Sequence, residues 1–530
     1  MKVKNGQWRI ASRDIFRGFK CTHCTQLSMA VAAGQEDIIE IVKDYEEDLS
    51  NKLPIIQGNI WERQIFDELI ESIGDDFHEL QSFSMDDSLE AMHHGFPVIA
   101  QAYMTKTYDD IIWSGLVDLL VRDDYELYYE DNKISARKTE GDPTKYQVFD
   151  VKHSKEDKEA YQLQIANYHE VLLELGYASD KRPGLVLKDF KLPTYDYALI
   201  KKKLDNARDP LFDMLRKHSP DEPFDKDKML WHCLKPSTCL DVYCDYPKLC
   251  KEEFLREDHL FQLPTAHHTH LIKLQAAGLG TVESLIGVDS FAEVPGLKPE
   301  YVEHYTRWAQ IVHEEKTSGK PYYRQIARPT SVGLPELSPG DLFFDIEWFN
   351  PVGNVNDLNF MWGAVDSEGE FHAFLADDYE EEKQAFQDFI MFSMKKLEQD
   401  PNMHIYHYHN PEPIRMKKMR DRYDYLHTEI ELLLPRMVDL KKIANQSIEP
   451  GSGSYSIKKL ERYYEADNKL NREGLVAAGS DALLQYHMYA EAKKAGKDQE
   501  AKDIMQMILD YNEDDCLSTK LLAEWLHSIS

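Results

Sequence analysis

Along this chain of 530 residues, apolar positions recur at helical spacing in some stretches and alternate with polar ones in others. The changes of rhythm outline its elements. In the first half the two rhythms mix. Residues 30–49 (AVAAGQEDIIEIVKDYEEDL) and 58–74 (GNIWERQIFDELIESIG) each gather apolar residues on one face and are predicted as amphipathic helices. Residues 110–122 (DIIWSGLVDLLVR) and 146–154 (YQVFDVKHS) read as strands, separated by a polar excursion containing glycine and proline. A further helix, residues 160–176, is closed by Gly176. From residue 254 to 325 the spacing is helical throughout, with Gly278, Gly287 and Gly296 punctuating two helix pairs. Residues 326–340 (IARPTSVGLPELSPG) read as a linker. Strands follow at DLFFDIEWF, LNFMWGAVD, EFHAFLA and HIYHYH, and the remainder is mostly helix. The fold class expected from this order is α/β and multidomain, divided as 1–253, 254–325 and 326–530.

Composition adds little to that outline. With 42 % hydrophobic and 29 % charged residues the chain is globular in type. No apolar run approaches the ~20 residues of a membrane-spanning helix. The N-terminal stretch MKVKNGQWRIASRDIF lacks the apolar core of a signal peptide, so a cytoplasmic protein with no membrane partner is expected. The formal net charge of −32 should repel a polyanion. Net charge is a global sum, however, and bound cations or a basic stripe such as IRMKKMRDRY (414–423) reverse its sign locally. Charge therefore neither indicates nor excludes a nucleic-acid substrate. The seven cysteines point to metal or redox chemistry more than to disulfides. Cys21 and Cys24 lie near the start, Cys233, Cys239, Cys244 and Cys250 crowd together, and Cys516 stands alone.

The predicted strand LFFDIEWF carries two acids, Asp345 and Glu347, in an otherwise apolar run. Residues i and i+2 of a strand share a face, so both carboxylates converge on one spot, and their repulsion calls for a divalent cation. Glu412 opens a helix after HIYHYH, and Tyr511 and Asp515 lie one helical turn apart in ILDYNEDDCLSTKLLAEWL. In this order the residues resemble the tyrosine-containing subclass of the Asp-Glu-Asp-Asp exonuclease superfamily, which has a ribonuclease-H-like fold. The resemblance implies Asp345 and Glu347 as the metal ligands of the first motif and Asp515 as the last ligand. It implies Tyr511 as the residue that orients the attacking water. The second motif places an aspartate five residues past a histidine. From His407 that offset falls on Glu412, as in the YprB-type branch associated with RecB-like nucleases. MVDLKKIANQSIEPGSGSYSIKKLERYY is similar to the same branch and implies Asp439 as an additional contact. Four such carboxylates suit two ions, Mg2+ or Mn2+, in phosphodiester hydrolysis.

A second acidic set lies upstream. Asp118 sits inside SGLVDLLV, and Asp150 and Lys152 lie two apart in YQVFDVKHS. With Gln164 and Tyr168 on the following helix and Glu62 on the preceding one, the set resembles the RecB-like PD-(D/E)XK nucleases. That resemblance implies Glu62, Asp118 and Asp150 as metal ligands and Lys152 as a stabiliser of charge near the attacking water. Gln164 and Tyr168 match the Q-x-x-x-Y motif. The long interval from Asp118 to Asp150 implies an inserted hairpin. RecB-like nucleases often carry an iron–sulfur cluster on one early and three late cysteines. This implies Cys21, Cys239, Cys244 and Cys250 as ligands of a structural 4Fe–4S cluster. Cys24 and Cys233 stay open as alternatives, as does a structural Zn2+ site.

The helical stretch with its three glycines resembles a helix-hairpin-helix module, whose glycine amides contact a phosphate backbone. As a whole the chain resembles RecB-like nucleases that join three parts. These are a PD-(D/E)XK restriction-endonuclease-like domain, a helix-hairpin-helix-like connector and a YprB-type, ribonuclease-H-like domain of the 3′–5′ exonuclease type. The implied function is a metal-dependent nuclease with two candidate active sites and DNA as the expected partner. The alternative is a non-catalytic nucleic-acid-binding or scaffolding protein that retains the folds. Related chains often continue into a helicase, so a motor is expected either from another chain, as a helicase in trans, or not at all.

Overall fold

The computed structural model describes residues 1–43, 52–222, 224, 244, 246–263, 267–288, 293–349, 357–409, 411–464, 470 and 479–530. The chain divides into two units, one of Met1–Glu253 and the other of Phe254–Pro351 with Asn356–Ser530.

The strands of the first unit are β1 (Lys2–Lys4), β2 (Gln7–Ile10), β3 (Phe77–Glu79), β4 (Val98–Tyr108), β5 (Ile111–Arg122), β6 (Tyr125–Glu130), β7 (Lys133–Lys138), β8 (Tyr146–Lys152) and β9 (Gly184–Leu187). Strands β6 and β7 form a separate antiparallel hairpin, and the other seven form one sheet. β4 and β5 pair antiparallel along almost their whole length. The other edge of β5 is shared. β2 runs parallel to Ile111–Trp113 and β8 antiparallel to Leu119–Arg122. Between those partners the Tyr168 hydroxyl donates to the Leu116 carbonyl at 2.5 Å.

Leu119, Val121, Phe149 and Val151 pack against Trp61, Ile65, Phe66 and Leu69 of the helix Lys52–Ile73. Each such side chain contributes roughly 1.5–3 kcal/mol of burial. Leu127, Ile134 and Ala136 of the β6–β7 hairpin join the same core. The implied insertion between Asp118 and Asp150 is this hairpin. Residues 30–49 differ from expectation. Gly34, at φ +79°, breaks them into the helices Thr22–Ala32 and Glu36–Lys43, because a left-handed residue cannot continue a right-handed helix. Strand β4 was not anticipated as the partner of β5.

In the second unit β10 (Tyr323–Gln325) precedes a five-stranded sheet made of β11 (Leu342–Phe349), β12 (Leu358–Asp366), β13 (Phe371–Leu375), β14 (Ile405–His407) and β15 (Met437–Asp439). Its order is β13–β12–β11–β14–β15, antiparallel on one side of β11 and parallel on the other. Period-2 alternation sorts the central strand. Leu342, Phe344 and Ile346 pack with Phe386, Phe389 and Ile390 of the helix Tyr379–Gln399. Phe343 faces the opposite way, into a cluster with Leu440, Ile443, Leu522 and Leu526. Asp345 and Glu347 share its face, toward the last helix, Asp498–Ser528.

Three expectations change here. Residues 254–325 contain the helices His268–Ala276, Val282–Leu285 and Pro299–Ser318 but end in a strand, β10, paired with β16 (Ile448–Pro450). The expected linker is packed down, since Leu334 lies in the core with Phe343 and Tyr406. HIYHYH is a strand only to His407. His409 has φ +82° and its amide donates to Asp439 at 3.0 Å.

Candidate active sites

Asp345, Glu347 and Asp515 bring carboxylate oxygens within 4.8 Å of one another. Strand β11 supplies the first two and the last helix the third. A β-bulge between Glu347 and Trp348 shifts the register with β12 beside them. Burial holds the Asp345 carboxyl well above its ordinary range, and Glu347, Asp515 and Glu412 add repulsion. Glu347 is pushed up to about 8 by burial and then by Asp515, against the opposing pull of Lys458 and Asn512. The donors are all oxygen, and their negative charge is under-compensated. That arrangement fits a hard divalent cation.

Two residues that motif reasoning did not single out complete this site. Asn512 Nδ2 donates to Asp345 Oδ2 at 2.9 Å. Lys458 Nζ donates to the Tyr511 hydroxyl at 3.3 Å and stands 4.7 Å from its ring centroid. Tyr511 is buried, and burial followed by the charge of Asp515 raises its pKa. Glu412, at the start of the helix Pro411–Tyr423, lies outside the set of three. Its Oε2 is 3.2 Å from His407 Nδ1, and both side chains are buried. Burial raises the Glu412 pKa and His407 lowers it. Asp439 is engaged by backbone, accepting from the amides of Lys441 and Lys442 as well as His409.

In the first unit Asp118, Asp150, Lys152, Gln164 and Tyr168 come together with Glu62 alongside, but Glu62, Asp118 and Asp150 do not bring three oxygens within 4.8 Å of one another. Lys152 Nζ stands 2.5 Å from Asp150 and 3.8 Å from Asp118. Asp118 Oδ2 also accepts from the Val151 amide at 2.7 Å. Gln164 Nε2 donates to Asp150 Oδ1 at 3.1 Å and to the Tyr168 hydroxyl at 3.0 Å. Burial raises Asp150 well above its ordinary pKa, and Asp118 adds to this against Lys152. Burial, and then Asp118, pushes Glu62 to about 8. Gln101 Nε2 donates to Glu62 Oε1 at 2.6 Å, a contact no motif announced.

Cys21, Cys24, Cys244 and Cys250 are all buried. A hydrogen bond with Cys244, followed by burial, raises the Cys24 thiol, so these two meet across the sequence gap. Cys250 Sγ lies 3.3 Å from His23 Nδ1, between Cys21 and Cys24 in sequence. Cys239 and Cys233 lie outside the described residues.

Among the described residues one other acidic set meets the 4.8 Å spacing, Asp366, Glu370 and His372. There Lys396 lies 3.0 Å from Asp366. The amides of Glu368 and Glu370 bind the other oxygen. Burial opposes ionisation of Asp366, but these contacts outweigh it and lower the pKa to about 2. It is a satisfied turn.

Among known proteins, the family model RNase_H_2, of the RNase_H superfamily, matches residues 342–527. The match opens on β11 and closes within the last helix, so it contains Asp345, Glu347, Glu412, Tyr511 and Asp515. No curated protein and no solved structure matches the chain at a significant level. Residues 342–527 therefore carry a ribonuclease-H-like domain, a nuclease-type fold.

Proposed function

We propose that the protein is a metal-dependent nuclease that hydrolyses phosphodiester bonds of DNA, with Asp345, Glu347 and Asp515 at its principal active site. The observation that carries this reading is the convergence of the three carboxylates beside Tyr511, inside the segment matched by the RNase_H superfamily model. The donor chemistry suits Mg2+ or Mn2+. A bound divalent cation supplies Lewis-acid stabilisation of the charge developing on the phosphodiester and acidifies the attacking water. Asp345 and Glu347, fixed on one strand face, and Asp515, fixed on a helix, form the anionic cradle. Asn512 restrains Asp345. Burial and the charge of Asp515 favour the protonated phenol of Tyr511, which suits a role in orienting water by hydrogen bonding. Lys458 places positive charge at the tyrosine hydroxyl.

The Glu62, Asp118 and Asp150 set supports a second nuclease site of the PD-(D/E)XK type. There Lys152 is the cation that stabilises charge near the scissile phosphate, and Gln164 steadies Asp150. Cys21, Cys24, Cys244 and Cys250 support a 4Fe–4S cluster, with structural Zn2+ as the alternative, and Cys239 as a ligand rests on the motif alone. Left-handed Gly278, Gly287 and Gly296 support a phosphate-contacting role for the connector.

One observation favours the non-catalytic reading. The carboxylate of Glu412 is engaged by His407. Digestion of end-labelled single- and double-stranded oligonucleotides, with Mg2+ or Mn2+ against EDTA, separates the two. Cation-dependent hydrolysis is expected to survive Asp150→Asn and to vanish in the Asp150→Asn, Asp345→Asn double variant. Unchanged hydrolysis in the double variant at saturating Mn2+ overturns the assignment. Binding without hydrolysis at any cation concentration selects the non-catalytic reading.

A further inference from the structure

Gln101 stands in the middle of β4 with φ +58°, a region that a residue with a side chain occupies only under strain. Asp109, Asp131 and Asn132 also have positive φ, but they lie at the turns between β4 and β5 and between β6 and β7. Gln101 lies at no turn. The ladder with β5 keeps its register on either side, Ala100 to Leu119 and Ala102 to Val117. The residue opposite Gln101 in that register is Asp118.

The side chain leaves the strand toward the helix Lys52–Ile73, where it donates to Glu62 Oε1 at 2.6 Å. With Asn59, Arg63, Gln81 and Leu116, these two residues line a cavity of about 420 Å3. Glu62 needs a restraint there. Its neighbours Asp118 and Glu79 repel its carboxylate, against the pull of Lys152, which is itself held by Asp150 at 2.5 Å. Arg63, the adjacent cation, is committed to Asp67 at 2.9 Å and Glu79 at 2.8 Å. Ala100 and Ala102 are fully buried and hold the backbone on both sides of the strained residue.

We infer that Gln101 is a positioning residue of the N-terminal site, whose left-handed backbone aims a carboxamide at Glu62 and holds that carboxylate toward Asp118 for a shared cation. The inference rests on the reading of that site as a cation-binding nuclease centre.

Calorimetric titration of Mn2+ into Asp345→Asn protein, in which the C-terminal site is disabled, tests it without any cleavage assay. Gln101→Met keeps the length and loses the donor. Gln101→Asn suits a left-handed backbone better but falls a methylene short of Glu62. Both are expected to weaken Mn2+ binding at this site roughly ten-fold. Gln101→Asn is expected to melt no lower than its parent. In a Glu62→Ala background, Gln101→Met should cost nothing further. Equal Mn2+ affinity in the parent and both Gln101 variants overturns the inference. Mn2+ binding indifferent to Asp150→Asn overturns the reading of the site, and the inference with it.

Discussion

Gly363 and Asn512 meet where no side chain on residue 363 would fit, because a Cβ there would overlap the Asn512 carboxamide oxygen. Gly363 is the ladder partner of Asp345, and Asn512 is the donor to Asp345. Cys516 Sγ adds a contact to the Gly363 carbonyl at 3.3 Å. The glycine thus lets the last helix settle onto the sheet at the acidic residue. Gly363→Ala is expected to destabilise by roughly 1–3 kcal/mol through overpacking and to lower cation-dependent hydrolysis. Chemical denaturation and a nuclease assay on the same preparation check both. Parent-like stability would refute the close approach.

Glu347 and Glu62, ordinarily near 4.5, are each raised to about 8 in the folded protein. The folded state therefore holds these protons more tightly than the unfolded chain. The stability this contributes is fully present below pH 4.5 and lost as pH rises through about 8. In chelator the melting temperature is expected to fall across that window. Mn2+ should flatten the fall, as should the Glu62→Gln, Glu347→Gln double variant. A melting temperature that rises over the same range in chelator contradicts the burial described for these groups.

Lys458 touches the hydroxyl of Tyr511, the residue proposed to orient the attacking water. Tyr511→Phe is expected to lower kcat less than Asp345→Asn does, because the cation ligands remain. Lys458→Met is expected to lower kcat with little change in KM, and Lys458→Arg to restore part of it. The double variant with Tyr511→Phe should be no worse than the poorer single variant. Strictly additive losses would show that the lysine does not act through the tyrosine. The comparison is made in Asp150→Asn protein, so that the other site is silent.

A metal held by the proposed cysteine set should depend on Cys24 as much as on Cys21. Elemental analysis of protein purified without oxygen should find iron or zinc, and each Cys→Ser variant should lose most of it. Visible absorbance and iron specify a cluster, whereas colourless protein with one zinc specifies a structural zinc site. Protein containing neither metal refutes both.

Asp345, Glu347, Tyr511 and Asp515 were legible because they obey local periods, two residues along a strand and four along a helix. The same holds for Asp150 with Lys152 and for Gln164 with Tyr168. Asn512, Lys458 and Gln101 were not legible, since their partners lie 167, 53 and 39 residues away. Only the folded backbone relates such positions. Residues 326–340 were misread for a similar reason, because prolines mark turns but do not reveal that Leu334 finds a core to enter. Gly34 carried a usable breaking signal inside an otherwise amphipathic run, and the apolar rhythm on both sides masked it. Glu412 was expected as a cation ligand, but the fold leaves it outside the set of three carboxylates and beside His407.

The β6–β7 hairpin leaves β5 after Arg122 and returns at Tyr146, and those two residues are ladder partners. Its tip, Asp131–Asn132, is exposed. New chain ends created at that tip would divide the N-terminal site between two polypeptides, Asp118 on one and Asp150 on the other. Neither piece alone could form the acidic set. The hairpin would then serve as the clasp between two fragments, and in Asp345→Asn protein cation binding at the N-terminal set would report whether the halves had found each other.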